Sequence, residues 1–262
     1  MTATLSRPAG ARPLGCYTAT TVRILRQLRA DRRTVAMIVL VPALLMTLLY
    51  FVYKNYPVRP GAPRLFDRIG ITMLGILPFV VMFLITAIAM QRERVSGTLE
   101  RLMTTPLSKL DLLAGYGTAF SVAAAVQAGV ACLVAFWLLG LKAAGSPGLV
   151  VLIAVIDAVL GVALGLLASA FARTEFQAVQ FMPVIVLPQF FLCGLLVPRG
   201  QLPGWLEAIS NVLPLSYAVD ALEQVSAHTG ATNEMWRDVL IVAAFTAVAL
   251  GAGAATLRRR TA

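Results

Sequence analysis

The sequence is poor in charged residues. Asp, Glu, Lys and Arg make up 13% of its 262 residues, whereas a soluble domain carries roughly 25%. Hydrophobic residues account for 59% of the chain and fall into long runs. Residues 1–34 contain no apolar core followed by a small-residue cleavage site, so they do not predict a cleavable signal peptide. We therefore expect one polytopic membrane domain and no sizeable soluble domain.

Residues that carry out chemistry are also scarce. The cysteines Cys16, Cys132 and Cys193 are odd in number and two of them lie in hydrophobic runs, which argues against a disulfide framework or a metal cluster. His228 is the single histidine, and we expect it at the surface. The sequence has no phosphate-binding Gly-Lys-Ser/Thr loop and no zinc-protease or serine-hydrolase motif. We therefore predict no catalytic, cofactor-binding or metal-binding residue, and no ATP hydrolysis by this chain alone.

Six hydrophobic runs are long enough to cross about 30 Å of hydrocarbon as helices. They lie at about 35–53, 69–90, 116–140, 148–170, 178–197 and 237–257. The predicted fold class is an all-α integral membrane protein with six transmembrane helices. Residues 1–16 are rich in Pro, Gly and Arg, so we predict a flexible tail there and a transmembrane domain over 17–262.

Lys and Arg are distributed unevenly between the two sides that these spans imply. Fifteen of the 22 lie in 1–34, in 91–115, at Arg173 and in 258–260, and the remaining seven lie on the opposite side. The positive-inside rule then places both termini in the cytoplasm. The net charge of +10 could suggest nucleic acid, but no basic groove with interleaved aromatic residues is present, so we expect no such partner.

Arginines recur at steps of three and four residues just before the first span, at Arg23, Arg26, Arg29 and Arg33, with an apolar stripe beside them. A basic amphipathic helix in this position is typical of an element that lies along a membrane surface. We therefore predict an interfacial helix over 17–33. The alternative, charges that only fix the topology, explains the arginines but not the apolar stripe.

The loop over 91–115 is the longest one predicted on the cytoplasmic side. Gly97 allows a bend, and a short helix can run from Thr98 until Pro106 blocks its continuation. Leu99 and Leu102 share one face of that helix. We interpret this compact, partly apolar element as one that docks into a groove on a partner protein. The alternative is an amphipathic connector that rests on lipid headgroups.

Asp157 lies near the centre of the fourth predicted span. Together with Gly161 and Gly165 it repeats every four residues, so the three share one helix face. Small residues at this spacing allow helices to approach closely, and an intramembrane acid is by default a functional hypothesis. Three interpretations stay open: a functional group, a structural acid at a helix or dimer contact, and a site for coupling to protons or sodium.

The stretch from 187 to 222 begins as a membrane span, breaks at Gly194 and Pro198, and continues as an amphipathic segment too polar to cross a bilayer. Broken helices at membrane depth are tolerated only where protein or an aqueous cavity satisfies the freed backbone groups. The pattern therefore indicates a protein that moves a solute. We predict an outer re-entrant segment in which Trp205 anchors the chain at the interface.

Two segments together resemble a known family. Residues 93–106, with Gly97-Thr-Leu-Glu100, look like the cytoplasmic coupling segment of type-2 ABC exporter permeases. Residues 191–222 resemble the outer re-entrant region of the same permeases. The similarity covers essentially everything after residue 17, and it is greatest to the drug-resistance and nodulation lipo-oligosaccharide export branch.

The resemblance implies roles for particular residues. The residues implied to couple to an ATPase are Glu93, Gly97, Thr98, Leu99, Glu100, Leu102 and Pro106. The residues implied for the re-entrant segment or gate are Gly194, Pro198, Pro203, Trp205, Pro214, Tyr217 and Asp220. The helix over 17–33 would be the interfacial connecting helix.

The resemblance also implies a half-transporter without its own motor. Two copies of the permease and two separate ATP-binding subunits would form an exporter in the plasma membrane, with ATP and Mg held by the partner. The substrate would be hydrophobic or amphiphilic: a drug, a lipid or a lipid-linked glycan. Two other classes stay open, namely an ion-coupled secondary transporter or channel that uses Asp157, and a membrane-embedded enzyme or scaffold.

Overall fold

The computed structural model describes residues 13–57, 64–98 and 109–256. Several predicted features lie outside these residues. They are the tail as far as residue 12, the coupling residues Leu99, Glu100, Leu102 and Pro106, and the basic cluster at 258–260.

Every regular element in the described part of the chain is helical. The helices are α1 (Pro13–Ala30), α2 (Arg32–Tyr53), α3 (Leu65–Val95), α4 (Lys109–Leu133), α5 (Pro147–Ser169), α6 (Glu175–Leu192), α7 (Gly204–Ser210), α8 (Pro214–Ala227) and α9 (Asn233–Thr256). A π-helical turn, Val134–Leu138, extends α4, and a 3-10 turn, Arg199–Gln201, precedes α7. Six helices, α2 to α6 and α9, are long and apolar enough to cross a membrane. This confirms the predicted fold class and the number of spans.

The boundaries of several helices differ from the sequence predictions, among them those of α1, α3 and α6. Helix α1 begins at Pro13, within the predicted tail. Helix α3 has 31 residues and extends beyond the predicted span at both ends. Helix α6 ends at Leu192, before the predicted limit at 197, because Gly194 adopts a φ of 101° that reverses the chain. Such a backbone conformation is readily available to glycine alone.

Side-chain caps define where several helices begin. Asp31 separates α1 from α2, and its carboxylate accepts hydrogen bonds from the backbone N–H and the hydroxyl of Thr34. These bonds lower the pKa of Asp31. Ser146 caps α5 directly before Pro147, and Thr174 caps α6. Each cap satisfies a backbone donor that the first turn of a helix leaves unpaired.

Helices α3 and α5 form the centre of the bundle, and α4, α8 and α9 pack around them. The central contact depends on two glycines of α5. A Cβ atom on Gly161 would lie 2.4 Å from the carbonyl oxygen of Phe79, and one on Gly165 would lie 2.5 Å from that of Phe83. Both phenylalanine side chains are fully buried. The two helices therefore meet backbone against backbone, which only glycine permits here.

Helices α2 and α6 lie at the periphery and leave apolar faces uncovered. Leu48 of α2 and Val184 of α6 are 60% and 68% exposed. Such faces suit contact with lipid or with another protein.

The bundle has two distinct ends. The α1 end gathers α1, the end of α3 and the starts of α4 and α6, as contacts of Tyr17 with Thr118 and of Arg92 with Glu175 demonstrate. The α8 end gathers the start of α3, the connection between α4 and α5, and helices α7 and α8.

Candidate functional site

At the α1 end, helix α1 docks closely on α4. A Cβ atom on Gly115 would lie 2.8 Å from Cγ2 of Thr20, so the glycine lets the two helices touch. The hydroxyl groups of Tyr17 and Thr118 are 2.8 Å apart and share a hydrogen bond. Thr20 and Ile24 are buried in this contact. One face of α1 therefore belongs to the protein interior.

Arg23 joins three helices at this end. Its Nη2 donates a hydrogen bond to the hydroxyl of Tyr116 on α4 at 2.7 Å, and it lies 4.0 Å from Oε1 of Glu93 on α3. The guanidinium also lies 5.9 Å from the centre of the Tyr116 ring, whose side chain is 2% exposed. We name Arg23, Glu93 and Tyr116 the α1-end node. A hydrogen bond from a charged donor is worth about 1.5–3 kcal/mol.

The four predicted interfacial arginines therefore do not act alike. Arg26, Arg29 and Arg33 are exposed, whereas Arg23 points at Tyr116 and Glu93. Glu93, which we expected near a partner's groove, directs one carboxylate oxygen toward Arg23 within this chain. Arg23 was grouped with the three exposed arginines because helical periodicity carries no information on what packs against α1.

The node lies next to the predicted coupling segment. Helix α3 ends at Val95, and Gly97 adopts a φ of 71° that turns the chain. Ser96 and Thr98 share a hydrogen bond across that turn, with their hydroxyl oxygens 3.0 Å apart. The predicted bend at Gly97 is therefore present, and the segment that follows it leaves from the node.

The end of α3 carries polar atoms that find no partner in the described residues. They include Oε1 of Gln91, Oε2 of Glu93, and Nε and Nη2 of Arg94. Buried polar groups in proteins are almost always hydrogen-bonded, so each exception needs an explanation. A second link on this side is the ion pair of Arg92 with Glu175 at the start of α6, with a separation of 3.3 Å. It is largely exposed, so we expect it to contribute no more than about 1 kcal/mol.

In the middle of the bundle, Asp157 of α5 is fully buried. Among the described residues neither of its carboxylate oxygens has a hydrogen-bond partner. It faces Gly75 of α3, where a Cβ atom would lie 3.3 Å from Oδ2 of Asp157 and 2.7 Å from Leu222 of α8. The three helices α3, α5 and α8 therefore meet at Gly75. Because Asp157 lies inside the protomer, its carboxylate is not on a face that a second copy could contact.

At the α8 end, the chain from α6 to α8 folds back on itself around Arg199. The guanidinium donates hydrogen bonds to the carboxylate of Asp220 and to the side chain of Asn211. It also lies 5.2 Å from the centre of the Tyr217 ring. The Tyr217 hydroxyl donates to the backbone carbonyl of Asn211 at 2.7 Å. We name Arg199, Asn211, Tyr217 and Asp220 the hairpin latch.

Burial raises the pKa of Asp220 to about 6, and the charge of Arg199 opposes this rise. The structure brings Tyr217 and Asp220 of the predicted gate together. A Cβ atom on Gly194 would lie 3.5 Å from Cγ of Arg199. Trp205 stands apart and is 67% exposed. The predicted prolines flank the short helices: Pro198 precedes the 3-10 turn, Pro203 precedes α7 and Pro214 begins α8.

Two further contacts close the hairpin. Ser210 donates to the carbonyl of Leu192 at 2.8 Å, and Oε1 of Gln189 accepts from the backbone N–H of Leu215 at 3.3 Å. Neither residue was among the predicted site residues, and neither Arg199 nor Asn211 was among them. A polar residue such as Gln189 inside a predicted span was the available signal, since it must find a partner there.

The chain matches the ABC-2 type transporter family over residues 16–225. It is 25% identical to a probable multidrug ABC transporter permease of Escherichia coli strain K12, over 72% of this chain and 51% of that protein. It is 28% identical to a linearmycin resistance permease protein of Bacillus subtilis, over 63% of this chain and 43% of that protein. It is 26% identical to nodulation protein J of Bradyrhizobium diazoefficiens, over 55% of each chain. The chain thus spans about half the length of these relatives. With most of its length covered by the family match, and with the predicted six helices present, the protein belongs to the ABC-2 type transporter family.

Proposed function

We propose that this chain is the membrane permease subunit of an ATP-driven exporter. It works with a separate ATP-binding subunit, which holds ATP and Mg and carries out the hydrolysis. Two copies of each form the complex in the plasma membrane, with the α1 end in the cytoplasm. The exposed arginines Arg26, Arg29 and Arg33 at that end support this orientation.

The α1-end node is the observation that carries the proposal. It ties α1 and the turn at Gly97 to α3 and α4 through Arg23, Glu93 and Tyr116. Closure of the ATP-binding subunits would displace α1 and the 96–106 segment together, and the node would pass that displacement to α3.

Helix α3 is the element that can carry the movement across the membrane. Its 31 residues connect the node to the α8 end. It contacts α5 backbone to backbone at Phe79 and Phe83, so the two helices move as one body. At Gly75 it meets Leu222 of α8, the helix that holds Tyr217 and Asp220 of the latch. ATP binding and hydrolysis can drive this movement of α3 because the complex makes different contacts in each nucleotide state.

The hairpin latch is the proposed gate. Its members come from the 3-10 turn, the end of α7 and helix α8, so rotation of α8 against the 3-10 turn separates Asp220 from Arg199. The proposed substrate is hydrophobic or amphiphilic, because the candidate membrane spans carry few charges. The relatives are named for multidrug transport, linearmycin resistance and nodulation. The direction of transport is proposed from the resemblance of residues 93–106 and 191–222 to exporter permeases.

Co-purification tests this proposal. The tagged chain, expressed with its native chromosomal neighbours, should retain a nucleotide-hydrolysing protein, and ATPase activity of that complex should be sensitive to vanadate. A cysteine placed at Thr98, at the turn beside the node, should crosslink to that protein. A cysteine at Trp205, at the other end of the bundle, is the matched control and should not. Crosslinks from Trp205 but not from Thr98 would overturn the assignment.

A further inference from the structure

A cavity of about 550 Å³ opens at the α8 end, and its lining includes no residue of the node or of the latch. The start of α3, the connection between α4 and α5, and the end of α8 line it. Its lining residues are Asp67, Arg68, Ile71, Thr72, Lys142, Ala143, Ala144, Glu223, Ser226 and Ala227. Its volume lies within the range of about 300–1,000 Å³ that small-molecule sites occupy.

The walls of the cavity are held in place by hydrogen bonds. Asp67 accepts two from Arg64, at 2.8 and 2.9 Å, and one from the backbone N–H of Lys142 at 3.0 Å. The same connection donates to the end of α8, from Ala144 to the carbonyl of Ser226 at 3.2 Å. Gly145 follows and donates to Val225 at 3.0 Å. The cavity therefore does not depend on a ligand for its shape.

The charge of the rim favours an anion. The carboxylate of Asp67 is already neutralised by Arg64, which leaves Arg68 and Lys142 opposed by Glu223 alone. Within the described residues neither the Arg68 guanidinium nor the Lys142 ammonium donates a hydrogen bond, although Arg68 interacts electrostatically with Glu223. All three side chains are exposed at the mouth. One positive charge is left without a counterpart.

The position of the cavity suits an amphiphile. Helix α3 has 31 residues and is about 46 Å long at 1.5 Å per residue, whereas the hydrocarbon core is about 30 Å thick. The first two turns of α3, which hold Arg68 and Thr72, therefore lie at the level of the lipid headgroups. Ile71, Ala143 and Ala227 add apolar walls beside the charges.

We propose that this cavity binds the phosphate-type anionic headgroup of an amphiphile in the leaflet at the α8 end. Arg68 and Lys142 hold the anion, the apolar walls hold the first part of the lipid tail, and Glu223 weakens the binding by repulsion. The proposal does not depend on ATP-driven export, so the binding and the transport function can fail independently.

Native mass spectrometry of the full-length chain in detergent tests the proposal. The probes are dihexanoyl-phosphatidylglycerol, which is anionic, dihexanoyl-phosphatidylcholine, which has the same tails and no net charge, and inorganic phosphate. The anionic lipid should bind at least about tenfold more tightly than the neutral one. Equal affinities would overturn the proposal. So would displacement of the anionic lipid by phosphate at comparable concentrations, because the ligand would then be a soluble anion.

Variants locate the site. Each of Arg68→Gln and Lys142→Gln should weaken binding of the anionic lipid about fivefold, the equivalent of about 1 kcal/mol per basic residue near a membrane surface. Glu223→Gln should strengthen it. Lys54→Gln removes a positive charge from the exposed end of α2 at the same side and is the matched control. Equal losses for Lys54→Gln and Lys142→Gln, or weaker binding for Glu223→Gln, would contradict the assignment. All four positions are exposed, so we expect every variant to fold, and size-exclusion chromatography verifies this.

Discussion

Gly161 of α5 lies directly against the backbone of Phe79 in α3, and a Cβ atom on it would come within 2.4 Å of the phenylalanine carbonyl oxygen. Backbone cannot move aside as a flexible side chain can, so the contact tolerates only glycine. The pair fixes the distance between the two central helices. Helix α8 and the α1-end node both contact α3, so a change in that distance would shift them relative to α5.

Substitution of Gly161 should therefore disrupt the fold. Gly161→Leu forces α3 and α5 apart. Overpacking of this kind typically lowers the free energy of unfolding by about 1–3 kcal/mol, and we expect at least the upper value here because the clash is with backbone. The variant should lose most of its monodisperse yield and unfold at a lower temperature in detergent. Gly129→Leu is the matched control, because no atom lies within 4 Å of a Cβ at Gly129 in the neighbouring span. Similar losses in both variants would contradict the close contact.

Asp157 should behave as a packing residue. Its carboxylate lies against Gly75 with no cation in contact within the described residues, and asparagine has nearly the same shape and carries no charge. We expect Asp157→Asn to retain its yield, thermal stability and transport in the assembled complex. Asp157→Arg, which adds length and a charge at a fully buried position, should fail to assemble. Normal assembly of Asp157→Asn with loss of transport would instead assign a functional role to the acid.

The latch should make stability depend on pH. The pKa of Asp220 is raised to about 6 from its ordinary value of 3.8, so the folded state holds this proton more tightly than the unfolded state. Its contribution to the free energy of unfolding is fully present below about pH 3.8 and is lost as the pH rises through about 6. We expect Asp220→Asn to abolish this component of the dependence of the unfolding temperature on pH between 4 and 7.

Arg199 provides the control for the latch. Its charge lowers the pKa of Asp220, so Arg199→Gln should move the pH-dependent loss of stability to a higher pH. Thermal unfolding measured across the same pH range separates these effects. An unchanged pH profile in both variants would show that Asp220 does not titrate in this window.

The node predicts a separation of hydrolysis from transport. Tyr116→Phe removes the hydroxyl that accepts from Arg23, and loss of this bond costs about 1–3 kcal/mol. Hydrogen–deuterium exchange of α1 should become faster, and export per ATP hydrolysed should fall in the assembled complex. Tyr53→Phe is the control at the opposite end, since the Tyr53 hydroxyl makes no hydrogen bond among the described residues. If hydrogen–deuterium exchange in α1 is unchanged in Tyr116→Phe, the node does not hold α1 against α3 and α4.

The turn at Gly97 is testable in the same assay. Proline has a φ near −65° and cannot adopt the observed 71°. Gly97→Pro should therefore leave membrane insertion intact yet uncouple hydrolysis from export. Gly97→Asn should retain coupling, because asparagine enters the left-handed region more easily than other residues with a side chain. Full transport by Gly97→Pro would count against a coupling role for the segment, and Glu100→Arg tests the same role by reversal of charge.

The membrane class, the number of spans and the family were all predictable from the amino-acid sequence. A run of about 20 apolar residues is a local property, and so are the punctuating residues Gly97, Gly194 and Pro214. These signals do not depend on the rest of the fold, so the features that they predicted are present in the structure. The Gly161 and Gly165 repeat also predicted a close helix contact, although not that α3 would be the partner.

Which side chains meet could be seen only in the folded structure. Arg23 reaches Tyr116 across 93 positions, and Arg199 reaches Asp220 across 21. Helical periodicity tells which residues share a face, but it carries no information on which helix covers that face. For this reason Arg23 was grouped with the exposed arginines, and the cavity at Arg68 and Lys142 was not predicted. Contacts between distant segments depend on how the helices pack, and packing follows from the shapes of all of them together.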